Sequence, residues 1–177
     1  MATTKEELKA MVADICDELE AAADGDLYKD ENGDAVIIKD IDEWKAERYK
    51  EKIEEFKKEH PEDAGFDKEL YETYDEFMED EIGTVDDIDD PEEVSVEDYV
   101  NDNSLGDVRF EVDSDLELIG GKVLFAYGGP NIWVADDEVR GYWGCDEVTE
   151  PLWNNARTAM FNMFDRLWEY KKESRGL

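Results

Sequence analysis

The chain has 177 residues, of which 52 are acidic and 19 basic, so its formal net charge is −33. A field of that sign repels nucleic acid and anionic lipid, excluding direct binding to either, and attracts cations and basic proteins. Against a wholly disordered chain stand the 41% apolar fraction and the five Trp, eight Tyr and seven Phe. The length suits one domain, residues 1–177, whose core needs neither disulfides nor metal.

The first helix is signalled by Thr4 and Glu7 at capping-box spacing. Leu8, Met11, Val12, Ile15, Leu19 and Ala22 then recur at helical intervals until Asp24-Gly25. DLYKDENGDAVII reads as a hairpin turning at Asn32-Gly33. A second helix starts near Asp40, sets Trp44, Tyr49, Ile53 and Phe56 on one side, and stops at His60-Pro61. FDKELYETYDEFMED predicts a third helix that turns Phe66, Leu70, Tyr74, Phe77 and Met78 inward and almost only acids outward. Gly83 and Pro91 bracket an irregular stretch, and SVEDYV predicts a capped helical turn.

Beyond residue 103 the pattern alternates. VRFEV, LELI, KVLFAY, NIWVA and VRGYW, separated by Gly- and Asp-containing turns, predict an antiparallel meander over 103–150. Pro151 is placed in the first turn of a last helix, 151–173, whose apolar face includes Leu152, Trp153, Ala156, Met160, Met163, Phe164, Leu167 and Trp168. Trp133, Trp143, Trp153 and Trp168 are expected to pack the sheet against that helix. The expected class is α+β, an antiparallel sheet of four to five strands flanked by N-terminal helices and one long C-terminal helix. Trp and Met on the last helix also make a homodimer possible.

Motifs for chemistry are weak. Asp30, Asn32 and Gly33 match three positions of an EF-hand loop, but Tyr28 and Lys39 stand where its first and last ligands belong, so a hairpin turn is the better account. DDIDDPEE has no ligand ladder of defined spacing, and no metal or cofactor is expected. His60 has no Ser or Cys motif beside it, and among 52 carboxylates an acid pair carries no information. Cys16 and Cys145 lack CxxC spacing and read as ordinary thiols. The expectation is a non-enzyme with no catalytic residues. The N-terminus lacks the basic start and apolar run of a secretory signal, so a cytoplasmic location is expected.

What stands out is where the acids lie. Residues 62–102 hold 19 Asp or Glu against one base, Lys68, and contribute more than half of the net charge. Salt adaptation would spread acids and deplete Lys, whereas these are clustered and Lys outnumbers Arg thirteen to six. Concentrating like charge costs self-repulsion that a basic partner relieves. The candidate partner-binding track comprises Glu69, Glu72, Asp75, Glu76, Glu79, Asp80, Glu81, Asp86, Asp87, Asp89, Asp90, Glu92, Glu93, Glu97 and Asp98. Were 62–81 helical, its ten acids would spread over roughly 30 Å, a linear density approaching one DNA strand.

LFAYGGPNIWVADDEVRGYWG, residues 124–144, resembles a hairpin of small proteins from bacterial phages and conjugative elements. Compact, very acidic proteins in those settings are similar to antirestriction and anti-CRISPR inhibitors, several of which imitate DNA. The resemblance covers about 21 of 177 residues and carries over no inhibitory residue. It implies that the partner is the basic DNA-binding channel of a host defence nuclease, a CRISPR effector or a restriction enzyme, inside the bacterial cell. The alternative is an acidic adaptor or chaperone-like module that holds a basic protein without displacing DNA. A third reading is cation binding through DDIDDPEE.

Overall fold

A computed structural model describes residues 3–30, 32–61, 70–71 and 73–176. The chain divides into two compact units, Met1–Ile37 with Glu93–Leu177, and Ile38–Glu92. The architecture is α+β.

In the first unit, α1 (Thr4–Asp24) starts one residue earlier than the sequence suggests, because Thr3 and Glu6 form the capping box. The Thr3 amide donates to Glu6 Oε2 at 2.7 Å. Gly25 closes α1 at φ +80, a conformation that glycine adopts without strain. Strands β1 (Leu27–Lys29) and β2 (Ala35–Ile37) form the expected hairpin. Asp30 is spent on the turn itself: its carboxylate accepts from the amides of Asn32 and Asp34 at 2.8 and 2.9 Å. With β3 (Glu92–Glu93) these strands make a three-stranded sheet, order β2-β1-β3.

Helix α4 (Val96–Asn103) follows, and then the meander: β4 (Val108–Val112), β5 (Leu118–Ala126), β6 (Asn131–Ala135), β7 (Glu138–Trp143) and β8 (Asp146–Pro151), in sequential antiparallel order. The expected strands LELI and KVLFAY are one strand, β5, that runs straight through Gly120-Gly121, and β8 is a strand the alternation did not announce. Helix α5 (Asn154–Arg175) ends the chain's regular structure. Pro151 closes β8 instead of opening the helix. It sits on an edge strand, where a residue without an N–H removes no ladder bond.

Register decides which sheet face is buried. Val123 opposes Val134, Val134 opposes Val139, and Ile132 opposes Gly141, so these residues share one face. That face meets α1 and α5. A Cβ on Gly121 would lie 2.5 Å from the Phe164 ring, and one on Gly141 would lie 2.7 Å from Leu8. The absent side chains let both helices settle directly on the strands. Leu8, Val12, Leu19, Met160 and Phe164 are fully buried there. Burying each such side chain is worth roughly 1.5–3 kcal/mol.

The tryptophans divide. Trp168 packs in the core side by side with Phe110, ring centroids 5.4 Å apart, and Trp143 packs partly against the core cluster. Trp133 corrects the expectation: alternation puts it on the opposite sheet face from Ile132 and Val134, with Arg109 4.4 Å and Lys122 5.4 Å from its ring centroid. Trp153 also departs from it. It is the exposed residue preceding α5, 62% accessible.

The second unit is built on α2 (Ile41–Glu59), capped as expected by Asp40, whose carboxylate accepts from the Asp42 and Glu43 amides at 3.1 and 3.0 Å. It ends at His60. Helix α3 is short, Tyr74–Ile82. Among the described residues no helix is long and apolar enough to cross a membrane.

Candidate functional site

Thr73 and Glu76 set the start of α3. The Glu76 amide donates to Thr73 Oγ1 at 3.1 Å and the Thr73 amide donates to the Glu76 carboxylate at 3.2 Å, a reciprocal box that satisfies two first-turn donors. The predicted earlier start fails at Leu70, which lies in a turn and is 74% exposed. Residues 62–69 and 72, including Phe66, Glu69 and Glu72 of the expected helix, lie outside the described residues.

One side of α3 is aromatic. Phe77 sits 5.3 Å from both Phe56 and Tyr71, 6.1 Å from Tyr74 and 6.4 Å from His60, edge-on to the last. The Tyr74 hydroxyl donates to the His60 carbonyl, and Met78 is buried. This cluster seats α3 on the end of α2, and helical spacing then turns Asp75, Glu76, Glu79, Asp80 and Glu81 to solvent.

Gly83 ends α3 at φ +82, and a Cβ there would also lie 2.8 Å from Asp87 Oδ2, displacing the carboxylate that closes the turn. The Gly83 carbonyl accepts from the Tyr49 hydroxyl at 3.1 Å. A 3-10 turn, Val85–Asp87, lies inside the stretch expected to be irregular. Asp87 reaches back to accept from the Thr84 amide at 2.7 Å and its hydroxyl at 2.9 Å. Those bonds hold the Asp87 carboxyl below the usual carboxylate range. Ile88 plugs the turn into the unit's interior.

All thirteen described acids of the candidate track are exposed. Ten, from Asp75 to Glu92, belong to the second unit, and Glu93, Glu97 and Asp98 belong to the first. Their roles differ. Glu76, Asp87 and Asp98 cap turns, the last accepting from the Ser95 hydroxyl at 2.5 Å. Asp80 accepts from the Tyr71 hydroxyl at 2.5 Å. Asp90 pairs with Lys45 at 2.7 Å, and Glu97 pairs with Arg166 at 2.5 Å. Asp86 adds to the field that holds the Lys45 ammonium above its usual range, a shift led by the Asp90 hydrogen bond.

The side chains of Asp75, Glu79, Glu81, Asp89, Glu92 and Glu93 make no hydrogen bond or ion pair among the described residues. These are the charges the fold leaves uncompensated. Sequence reasoning missed the cations that meet the run: Lys45, Arg166 and Lys29, the last 3.0 Å from Asp102. Each comes from more than forty residues away, so nothing local announces it.

Asp75 to Glu81 span six helical steps, about 9 Å at 1.5 Å per residue. The five acids in that span are denser than the phosphates of one DNA strand, which fall about 3.4 Å apart along the axis. Of the expected helical ridge of roughly 30 Å over 62–81, residues 62–69 and 72 lie outside the described residues; the described part is a short, denser patch on α3 followed by a capped turn. Comparison with protein-family models, curated proteins and solved structures finds no match.

Proposed function

We propose that the chain is a non-enzymatic inhibitor of a bacterial DNA-binding defence nuclease, a CRISPR effector or a restriction enzyme, acting in the bacterial cytoplasm. Its acids stand in for phosphates and occupy a DNA channel. The observation that supports this most is the set of exposed carboxylates on α3 and the following turn that make no hydrogen bond or ion pair among the described residues. A solubilising tail has no need of an aromatic seat, a capping box and an Asp87-closed turn beside a tight glycine to order its acids.

Blocking a channel in this way requires no bond to be made or broken. The nuclease's Lys and Arg exchange DNA phosphates for carboxylates, and both surfaces lose the repulsion or hydration they carried alone. Affinity then falls steeply with salt, because the contacts are many and exposed. Reversing Glu79, Glu81, Asp86 and Asp89 together to Lys tests the reading. Inhibition of the target's DNA cleavage should be lost while circular dichroism stays native; full inhibition by the folded variant would sink mimicry by this segment.

A further inference from the structure

The five-stranded sheet ends in edge strands β4 and β8, and the three-stranded sheet ends in β2 and β3. An edge offers unpaired N–H and C=O groups to any strand that can lie alongside. Three of these edges are blunted: β8, DEVTEP, is acidic and ends in proline, β3 is two glutamates, and β2 is three residues long. Strand β4, VRFEV, has no proline, is five residues long and carries one charge of each sign, and its register with β5 is regular from Val108 to Glu111, shifting only before Val112.

Its residue order is self-complementary about Phe110. If two copies lie antiparallel with Phe110 opposite Phe110, each Arg109 faces a Glu111 and each Val108 faces a Val112. Backbone parity favours the same arrangement. The Asp113 amide donates to the Glu117 carbonyl at 3.0 Å, and the Leu124 amide donates to the Asp107 carbonyl at 3.1 Å. Odd-numbered positions of this strand therefore turn their backbone groups toward β5, and Val108, Phe110 and Val112 turn theirs to the open edge. Phe110 would make the central hydrogen-bonded pair. Arg109 and Glu111 would meet at the non-hydrogen-bonded positions, where facing Cα atoms are about 4.5 Å apart and side chains come closest.

Both charged groups are accessible. Glu111 is exposed with no hydrogen bond or ion pair among the described residues. Arg109, its side chain 58% exposed, pairs with Asp107 at 3.1 Å, which leaves other donors of the guanidinium fork for a second carboxylate. We propose that β4 is a self-association edge, through which two copies of this chain join their sheets across a twofold axis at Phe110.

Net charge opposes the union, since each copy carries −33. That repulsion acts at long range and is screened beyond about 10 Å at 0.1 M salt, whereas facing Arg–Glu pairs act at contact. Self-association accordingly strengthens with salt, the opposite of binding to a basic partner. The inference stands on β4 alone and not on the acidic track.

Sedimentation equilibrium of the full chain, up to about 0.5 mM and in about 0.5 M NaCl to screen repulsion, tests it. Wild type should show a monomer–dimer equilibrium. Arg109→Glu and Glu111→Arg should each weaken it about tenfold or more, because either places two like-charge pairs face to face. The double variant R109E/E111R should restore it to within about threefold. A wild type monomeric throughout, single variants that dimerise as well as wild type, or a double variant that is folded by circular dichroism yet monomeric would each overturn the proposal.

Discussion

Two glycines set how closely the helices approach the sheet. At Gly121 an added Cβ meets the Phe164 ring 2.5 Å away, and Phe164 is fully buried with nowhere to retreat. Gly121→Ala should therefore cost about 1–3 kcal/mol, read as a lower urea midpoint with an unchanged slope. An unchanged midpoint would mean that α5 does not rest on β5 there. The cysteines make a second contrast. Burial, reinforced by Glu150, pushes the Cys16 thiol up to about 12, while Cys145 is exposed. At neutral pH iodoacetamide should label Cys145 in the native protein and reach Cys16 only after unfolding. The raised value also fixes a sign. Cys16 stabilises fully below the unfolded thiol's value near 9 and loses that contribution as pH rises through about 12, so unfolding curves should weaken over that window.

At the scale of elements, α3 depends on its cap. Thr73→Ala removes the side chain that accepts from the Glu76 amide and should cost about 1 kcal/mol of local stability, seen as faster amide exchange in Tyr74–Ile82. Asp87 gives the adjacent turn a pH dependence. Its carboxyl is lowered by the Thr84 bonds, so the turn's stabilisation is present above the ordinary carboxylate value and is lost as pH falls through the lowered one. The Thr84 amide resonance, followed by NMR during acid titration, should report that loss; a resonance that does not move would place Asp87 elsewhere. Elements with local signals were legible in the sequence: Asp40 and Ser95 as caps, Gly25 as a stop, the hairpin at Asn32-Gly33, and the alternation of the meander. The failures share one cause. Alternation shows that Trp133 and Ile132 face opposite ways, but which face a helix will cover depends on where α1 and α5 dock. Likewise the apolar spacing at Leu70 imitated a helix, whereas the Thr73–Glu76 box, equally visible, marks where α3 begins. In the candidate site the exposure of the acids was readable from the run itself. Their division into capping, paired and uncompensated groups was not, because Lys45 and Arg166 arrive through tertiary packing.

Over the whole molecule the question is what −33 charges are for. Uncompensated acids repel one another, so replacing Glu79, Glu81 and Asp89 by their amides should raise the melting temperature at low salt by a few degrees and leave it nearly unchanged at high salt. A fall at low salt would mean that these carboxylates have stabilising partners. The gain should come with weaker partner binding, the trade expected where charge is kept for recognition instead of stability. The most direct test of DNA mimicry is competition. With the wild-type chain immobilised, a captured bacterial nuclease should be released by excess duplex DNA at low salt, since both ligands claim one channel. A nuclease that stays bound and takes up DNA in a ternary complex would contradict the account and make the chain an acidic adaptor.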